Sequence, residues 1–365
     1  MINQIHISLA KIYIFFIFWF LFFNFLPPIY VQQFSNNFAI KVSLLSVVFF
    51  SFGCFYAIGK IKKKTINIRP IEVWKYYYIY PLLLVLSLSI NNLFTPLFAI
   101  ISAQLIVKLF DMKKYKLAII FLLLSSVILF NQYTRMFILM MYMYIFLYYY
   151  IKSKNFYILQ IIILSCFSFF ILIVMLYQRV FGKIDFSKIY HYISTASPAE
   201  IFQLTDNYFV YEAYLHVISY FPKIHDYFYG SSLIKPFLFW IPREIWNDKP
   251  EGLTTYLPKL FYGMTRGAEY SSGMTITGEF YANYGIYGVI VLSFFFGYIS
   301  LYIAMKMIRP RNESELLLGL TYLVYFPHLM RGGISTSVTF IFLYYLLFLL
   351  FFRTKQYFKK IIWRL

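Results

Sequence analysis

The sequence predicts an all-α polytopic membrane protein with about ten to twelve transmembrane helices, one large extracytoplasmic loop and both termini in the cytoplasm. Two observations predict this class. The chain of 365 residues is 61% hydrophobic and only 13% charged, whereas a soluble domain carries about 25% charged residues. Apolar runs of about 17–25 residues, the length that crosses a bilayer as a helix, also recur along the chain.

These runs predict ten spans. The first bends or ends near Pro27 and Pro28, because proline interrupts a helix. The third and fourth flank Asn91 and Asn92 and could form a hairpin that does not fully cross. The predicted spans cover residues 12–31, 40–59, 76–90, 93–110, 117–132, 136–151, 156–177, 284–305, 315–330 and 336–352. They divide the chain into an N-terminal bundle (1–177), a large outer loop (178–283) and C-terminal helices with a basic tail (284–365).

The distribution of positive charge predicts the orientation. The run Lys60, Lys62, Lys63, Lys64 follows the second span, and the positive-inside rule places such a run in the cytoplasm. With that anchor the other basic loops and the C-terminal tail also fall inside, so the cytoplasmic side carries nearly all of the net charge of +19. The basicity is therefore a topology signal and calls for no nucleic-acid partner.

The sequence shows no sign of a metal or cofactor. Both cysteines, Cys54 and Cys166, lie inside apolar runs and are typical of small core residues. The histidines are scattered without the spacing of metal ligands, and there is no phosphate-binding glycine loop and no dinucleotide-binding turn. We therefore expect neither a metal nor a cofactor.

The large outer loop is rich in Tyr, Phe and Trp. Its segment Ser197-Pro198-Ala199-Glu200 has the pattern of a helix N-terminus, so a helix is predicted from there to about Phe221. A second segment, FWIPREIWNDKPEG at 239–252, mixes aromatic and charged residues. Trp240 and Trp246 suit the membrane–water interface. We therefore expect this segment to fold back onto the outer membrane surface, with a short turn between its two prolines.

Five arginines are predicted outside, where cations oppose the insertion bias: Arg135, Arg179, Arg243, Arg266 and Arg331. Guanidinium groups bind phosphate through paired hydrogen bonds, so several at one depth predict a site for a lipid-linked phosphate or pyrophosphate. Each also has a simpler interpretation. An interfacial arginine can reach lipid phosphates, Arg243 can pair with Glu244 or Asp248, Arg266 can lie in a solvated loop, and the Gly-Gly after Arg331 can be an ordinary turn.

Two residues at the outer ends of predicted spans are candidate proton acceptors. Glu279 stands just before the eighth span, where a partly desolvated carboxylate could act as a general base towards a sugar hydroxyl. It could instead neutralise an arginine or face a headgroup. His328 is the second candidate, although a lone histidine in an aromatic bundle is more often a hydrogen-bonded core group. Glycines 285, 288 and 297 predict close packing of the eighth helix.

Three motifs resemble the O-antigen and oligosaccharide repeat-unit polymerases of the Wzy type. Pro-Arg followed by Trp and Lys-Pro is found at Pro242–Arg243, Trp246 and Lys249–Pro250. Gly-Glu-x-Tyr-x-Asn-x-Gly is found at 278–285, and a small polar residue before Arg opens a span at Thr134–Arg135. The hydropathy pattern and the late, large outer loop are similar as well.

The resemblance implies a metal-independent glycosyltransferase of the bacterial inner membrane, active at the outer leaflet. Its donor and acceptor would both be oligosaccharides linked to polyprenyl pyrophosphate, and a chain-length regulator is an expected partner. The positions that would bind pyrophosphate or glycan are Arg135, Arg179, Arg243, Lys249, Arg331, Trp240 and Trp246. Glu279 or His328 would take the proton.

Two other functions remain open at this stage. An O-antigen ligase has a similar layout and uses a histidine of the outer loop, for which His191, His216 and His225 are available. A lipid-linked oligosaccharide flippase is the non-enzyme alternative. It would be expected to have short loops and polar residues within its spans, and this chain has a large loop and spans poor in charge.

The predicted orientation can be tested by accessibility. A tag inserted in the loop near Ser232 is expected to react with membrane-impermeant reagents from outside intact inner membranes, because this loop is predicted to be extracytoplasmic. A tag beside Lys113 should react only after permeabilisation. The reverse labelling pattern would invert the predicted topology.

Overall fold

The computed structural model of the protein describes residues 9–24, 36–60, 74–89, 94–131, 135–152, 191, 194–195, 206–238, 240–262, 273–308, 313–331 and 333–348. Helices joined by turns and short connecting segments account for these residues, which confirms the all-α prediction for this part of the chain.

The helices fall into three groups along the chain. The N-terminal group comprises α1 (Leu9–Asn24), α2 (Asn37–Lys60), α3 (Trp74–Ser89), α4 (Thr95–Asp111), α5 (Tyr115–Asn131) and α6 (Arg135–Lys152). The middle group comprises α7 (Asp206–Tyr220), the short α8 (Ser231–Ile234) with a 3-10 turn at Lys235–Leu238, and α9 (Leu253–Tyr262). The C-terminal group comprises α10 (Ile276–Ile308), α11 (Glu313–Arg331) and α12 (Ile334–Phe348).

The helices follow the predicted apolar runs. Each predicted span that falls on described residues overlaps one helix, whereas the span at 156–177 lies outside them. Helix α7 ends at Tyr220, which agrees with the predicted stop before Pro222. The predicted start of that helix near Ser197 lies outside the described residues.

Two of these helices are long and apolar enough to cross a membrane, judged by length and composition. They contain the segments Asn37–Gly59 in α2 and Ile276–Met305 in α10. Shorter apolar helices are Ile12–Asn24, Tyr76–Leu88, Tyr115–Phe130, Met136–Tyr149 and Ser337–Leu346. The number of spans and their orientation stay predictions.

The described helices pack in two neighbouring groups. Helices α1, α2, α10 and α11 form one group, with α2 lying along α10. In the other, α4 packs against α3, α5 and α6, and its residues from Thr95 to Leu109 are buried. Helix α11 joins the groups by packing on α6.

Glycines let α2 and α10 approach each other closely. A Cβ atom on Gly53 would stand 2.0 Å from the carbonyl oxygen of Phe294, and one on Gly297 would stand 2.2 Å from that of Phe50. The Cys54 thiol donates a hydrogen bond of 3.3 Å to the Gly297 carbonyl. Small residues that bring backbones together are a common basis of helix association in membranes. The close packing predicted for Gly297 is therefore confirmed.

Buried polar side chains connect α1, α2 and α10 in a row that we call the polar ladder: Asn24, Thr277, Ser46 and Ser293. The Thr277 hydroxyl oxygen lies 2.8 Å from Asn24 Oδ1 and 2.8 Å from Ser46 Oγ. The Ser46 and Ser293 hydroxyls are 2.7 Å apart. Because each polar group is satisfied by a neighbour, the ladder avoids the cost of an unpaired polar atom in an apolar interior.

Helix α10 is interrupted near its N-terminus. Tyr284 (φ −146°, ψ 18°) and Gly285 (φ 62°, ψ −147°) are not helical and divide it into a short first half and a long second half. The positive φ of Gly285 is in the region that favours glycine. The eighth span was predicted to begin at residue 284, which is the position where the helix is interrupted.

The glycine contacts generate a stability prediction. Gly53→Ala and Gly297→Ala should each destabilise the protein by about 1–3 kcal/mol, because the added methyl group would overlap the neighbouring backbone. Gly59→Ala is the matched control on α2, since a Cβ there would have nothing within 4 Å. Thermal unfolding in detergent measures the effect. An equal loss in all three variants would contradict the close crossing.

Candidate functional site

The interruption of α10 is the point where the middle segment docks. The backbone N–H of Phe228 donates to the carbonyl of Ala282 at 3.0 Å, and that of Tyr229 donates to the carbonyl of Asn283 at 3.1 Å. Gly230 N–H donates to the side-chain oxygen of Asn283 at 2.9 Å. Carbonyls at a helix end need outside donors, and here the loop at 228–230 supplies them.

Glu279, in the first half of α10, connects this loop to α12. Its Oε2 accepts a hydrogen bond of 2.7 Å from the backbone N–H of Ile334, the first residue of α12. Its Oε1 accepts a longer bond of 3.3 Å from the Ser232 hydroxyl, which in turn accepts from Asn283 Nδ2 at 2.9 Å. A carboxylate at a helix N-terminus is stabilised by the orphan N–H groups there. Glu279 is buried and caps α12.

Glycine is needed just before this cap. Gly333 has a φ of 80°, and a Cβ there would stand 2.8 Å from Cγ2 of Thr254 and 3.6 Å from Oε2 of Glu279. The sequence indicated that the Gly-Gly pair after Arg331 can be an ordinary turn. At Gly333 the close approach is to Glu279 and to α9, while Gly332 lies outside the described residues.

Three cations on the segment after α8 lie in one region, which we call the cationic cluster: Lys235, Arg243 and Lys249. Lys249 is buried and donates to the carbonyl of Ile241 at 2.8 Å. Arg243 Nη2 lies 3.6 Å from Oε1 of Glu251. Its Nη1 is buried and has no hydrogen-bond partner among the described residues. A buried donor without a partner is costly, so an anion that reached Nη1 would satisfy it.

The negative charge of Glu251, beside the cationic cluster, is shared between two cations. Glu251 is bound by the ammonium group of Lys259, at 2.5 and 2.7 Å from its two carboxylate oxygens, as well as by Arg243. One carboxylate therefore serves two cations. The cationic cluster keeps an excess of positive charge.

Electrostatics links the cationic cluster to Glu279. Burial lowers the pKa of the Lys235 ammonium group, and the positive charge of Arg243 lowers that pKa further. Glu251 and Glu279 act in the opposite direction but do not cancel the shift. Because such effects act over short distances, Lys235 lies within electrostatic range of Arg243, Glu251 and Glu279.

The remaining residues of FWIPREIWNDKPEG divide into an exposed and a buried set. The indole of Trp240 is 69% exposed and that of Trp246 is also exposed, as an interfacial position requires. The Trp240 Nε1–H donates to the carbonyl of Phe237 at 2.9 Å. Lys249, which was predicted to bind pyrophosphate or glycan, is buried. Arg243 pairs with Glu251, whereas the sequence analysis named Glu244 and Asp248 as its partners.

The other predicted site residues either make different contacts or lie outside the described residues. His328 Nδ1 is hydrogen-bonded to the Ser337 hydroxyl, between α11 and α12. Arg331 ends α11, and its carbonyl accepts from the N–H of Met274 at 2.9 Å. Arg135 begins α6, and its side chain lies outside the described part, as do Arg179 and Arg266.

Two of the loop histidines have neighbours within the fold. The imidazole of His225 lies 2.9 Å from the Tyr256 hydroxyl and 2.6 Å from the Asp226 carbonyl. His216 packs against the ring of Phe261, with 4.9 Å between ring centroids. Both contacts tie the loop to α9 or to itself. His191 is exposed.

Sequence reasoning missed Lys235, Ser232 and Glu251. Lys235 is a single lysine between apolar stretches, and Glu251 is the next-to-last residue of FWIPREIWNDKPEG. Nothing in their spacing shows that they meet, because the docking of the loop onto α10 brings them together. The one available signal was Lys235-Pro236, a cation fixed at a turn in an otherwise apolar stretch.

No protein-family model, no curated protein and no solved structure matches this chain. Among the described residues, no group of three or more His, Cys, Asp and Glu side chains could hold a metal ion. The residues and their geometry are therefore the basis for a functional proposal.

The burial of Ser232 makes it a poor position for the accessibility tag. Ile224 is 70% exposed and is the better position in the same loop.

The lowered pKa of Lys235 predicts a pH dependence of anion binding. In the alkaline range below the ordinary lysine pKa of about 10.4, affinity for inorganic phosphate should fall as Lys235 loses its proton, because phosphate stays a dianion above its second pKa of about 6. Lys235→Arg should bind without this alkaline loss, because arginine stays protonated. Isothermal titration of the protein in nanodiscs across this pH range measures both. An unchanged alkaline loss in Lys235→Arg would assign the titration to another group.

Proposed function

We propose that this protein polymerises oligosaccharide repeat units, carried on polyprenyl pyrophosphate, into O-antigen or a similar surface polysaccharide at the outer leaflet of the bacterial inner membrane. The observation that carries the proposal is the cationic cluster, on a segment whose tryptophans are exposed. In this cluster Arg243 Nη1 is buried and has no hydrogen-bond partner among the residues that the structure describes. A pyrophosphate attached to a lipid needs both parts: fixed cations for the phosphates and an apolar surface beside them.

The chemistry of such a transfer fits the charges available. The acceptor sugar hydroxyl forms a bond to the anomeric carbon of the donor, and the bond from that carbon to the pyrophosphate oxygen breaks. The pyrophosphate leaves with the bonding electrons, and preorganised cations stabilise the charge that develops on it. Lys235, Arg243 and Lys249 supply that stabilisation in this proposal.

The proton of the attacking hydroxyl goes to Glu279 in this scheme. Its Oε2 is held by the N–H of Ile334, whereas its Oε1 has one longer bond, to the Ser232 hydroxyl. We assign Oε1 as the proton acceptor, with a substrate hydroxyl replacing that of Ser232. Ser232→Ala should then be tolerated far better than Glu279→Gln.

The alternatives differ in what they need from the loop. A ligase of the type considered above would use a loop histidine, and the imidazoles of His216 and His225 are engaged with α9 and with the loop itself. A flippase would need a polar path through the bundle. The polar ladder is a row of mutually bonded side chains, which is better suited to holding helices together.

A lipopolysaccharide gel from the native host, with the gene deleted and then restored, tests the function. A ladder that collapses to core plus one repeat on deletion is the expected result. Loss of all antigen from the core with lipid-linked polymer still accumulating would mean a ligase instead. Loss of even the single-repeat band, with repeats trapped on the cytoplasmic leaflet, would mean a flippase.

The same complemented strain tests the cationic cluster. Arg243→Ala and Lys235→Ala should each lower polymer formation by about 100-fold, the typical effect of removing one preorganised group that stabilises developing charge. Lys223→Ala, an exposed lysine of the same loop, is the matched control and should keep the full ladder. Protein levels in the membrane are compared by immunoblot. Full ladders in both cluster variants would remove the pyrophosphate role of the cluster.

A further inference from the structure

The break in α10 brings tyrosine rings to the surface in a fixed arrangement, which we call the tyrosine platform: Tyr227, Tyr229 and Tyr284. The ring centroids of Tyr229 and Tyr284 are 6.4 Å apart with the rings at 73°. Those of Tyr227 and Tyr229 are 6.3 Å apart with the rings at 86°. Tyr229 is 68% exposed and Tyr284 is 39% exposed. Two aromatic faces are therefore open to a ligand.

Two glycines with positive φ hold the tyrosine platform in place from opposite sides. A Cβ on Gly230 would stand 2.5 Å from the hydroxyl of Tyr284, and a Cβ on Gly285 would stand 2.6 Å from the hydroxyl of Tyr227. Each tyrosine thus occupies the space that a side chain on the opposite segment would fill. The loop and the helix break therefore fix each other's position, and the rings are held in one arrangement.

Tyr229 has an unusual backbone for an exposed residue. Its φ is 47°, in the left-handed region that non-glycine residues seldom adopt. Its N–H is held by the carbonyl of Asn283. Uncommon backbone conformations of this kind cluster at binding and catalytic sites, where the surrounding structure maintains them. The conformation here places a large ring outside instead of burying it.

The tyrosine platform is joined to Glu279 by a continuous chain of hydrogen bonds. Asn283 accepts from the N–H of Gly230 and donates to the Ser232 hydroxyl, which donates to Glu279. Asn283 is thus bonded both to the platform loop and to the hydroxyl that occupies Oε1 of Glu279. Asn283 thereby connects the loop that carries the platform to the buried carboxylate proposed to accept the proton.

We infer that the tyrosine platform binds the terminal sugar of the acceptor oligosaccharide and presents its hydroxyl to Glu279. This inference rests on the proposed function and names the subsite that it needs. Tyrosine rings offer apolar faces to the C–H groups of a sugar ring, and their hydroxyls can bond to sugar hydroxyls. Tyrosine also loses little conformational freedom on binding, since its side chain has two rotatable bonds.

The test is sugar binding by the protein in nanodiscs, observed by saturation-transfer NMR. The probe is the set of oligosaccharides released by mild acid from the surface polysaccharide of the host. Tyr229→Leu and Tyr284→Leu should each weaken binding by about tenfold, since leucine keeps an apolar group but removes the aromatic face. Tyr229→Phe should keep most of the binding, and a melting curve for each variant checks that it is folded.

The matched control is Tyr287, which is 82% exposed and one turn further along α10. Tyr287→Leu should bind the oligosaccharides like the unmodified protein. If Tyr287→Leu loses as much binding as Tyr229→Leu, these tyrosines form an interfacial belt against lipid and the inference is overturned. Absence of oligosaccharide binding to the unmodified protein overturns it as well.

The gel and the NMR experiment separate the two proposals. If the gene restores the polymer ladder but Tyr229→Leu and Tyr284→Leu bind oligosaccharide normally, the platform inference fails and the polymerase stands. If deletion leaves the ladder unchanged while the tyrosine variants lose oligosaccharide binding, the polymerase fails and the sugar site stands.

Discussion

One buried carboxylate holds together three parts of the chain that are far apart in sequence. Glu279 belongs to α10, caps the first N–H of α12 and accepts from Ser232 in α8. A buried carboxylate is tolerated when donors satisfy it, so each segment depends on the other two. Lys235 directly follows α8, and the position of the cationic cluster therefore depends on the same contact. The capping of α12 and the position of the cationic cluster therefore depend on the same carboxylate.

The break in α10 complements this contact. An uninterrupted helix would have bonded the carbonyls of Ala282 and Asn283 within itself. The interruption makes them available to the N–H groups of the loop at 228–230. The residues at the break, although not helical, are therefore held by hydrogen bonds to a second segment. Both proposed subsites, for pyrophosphate and for sugar, are attached to this fixed irregular segment.

The sequence predicted the helices well and the site only in part. Apolar runs located the helices of the predicted spans among the described residues, Pro222 marked the end of α7, and Gly297 correctly indicated close packing, because these are local signals. Helices α8 and α9 were not predicted. The pairing of Arg243 with Glu251 and the burial of Lys249 depend on how the loop folds back on itself. The grouping of Lys235 with Glu279 depends on contacts between distant segments, and no local pattern encodes them.

The polar ladder has a consequence for how the protein is made. Ser46 in α2 finds its partners, Thr277 and Ser293, on a helix synthesised more than half a chain later. Chains emerge from the ribosome N-terminus first, so α2 is made long before the helix that covers Gly53 and binds the Ser46 hydroxyl. A chain that ended before α10 would therefore lack both the close backbone contact of α2 and the partners of Ser46.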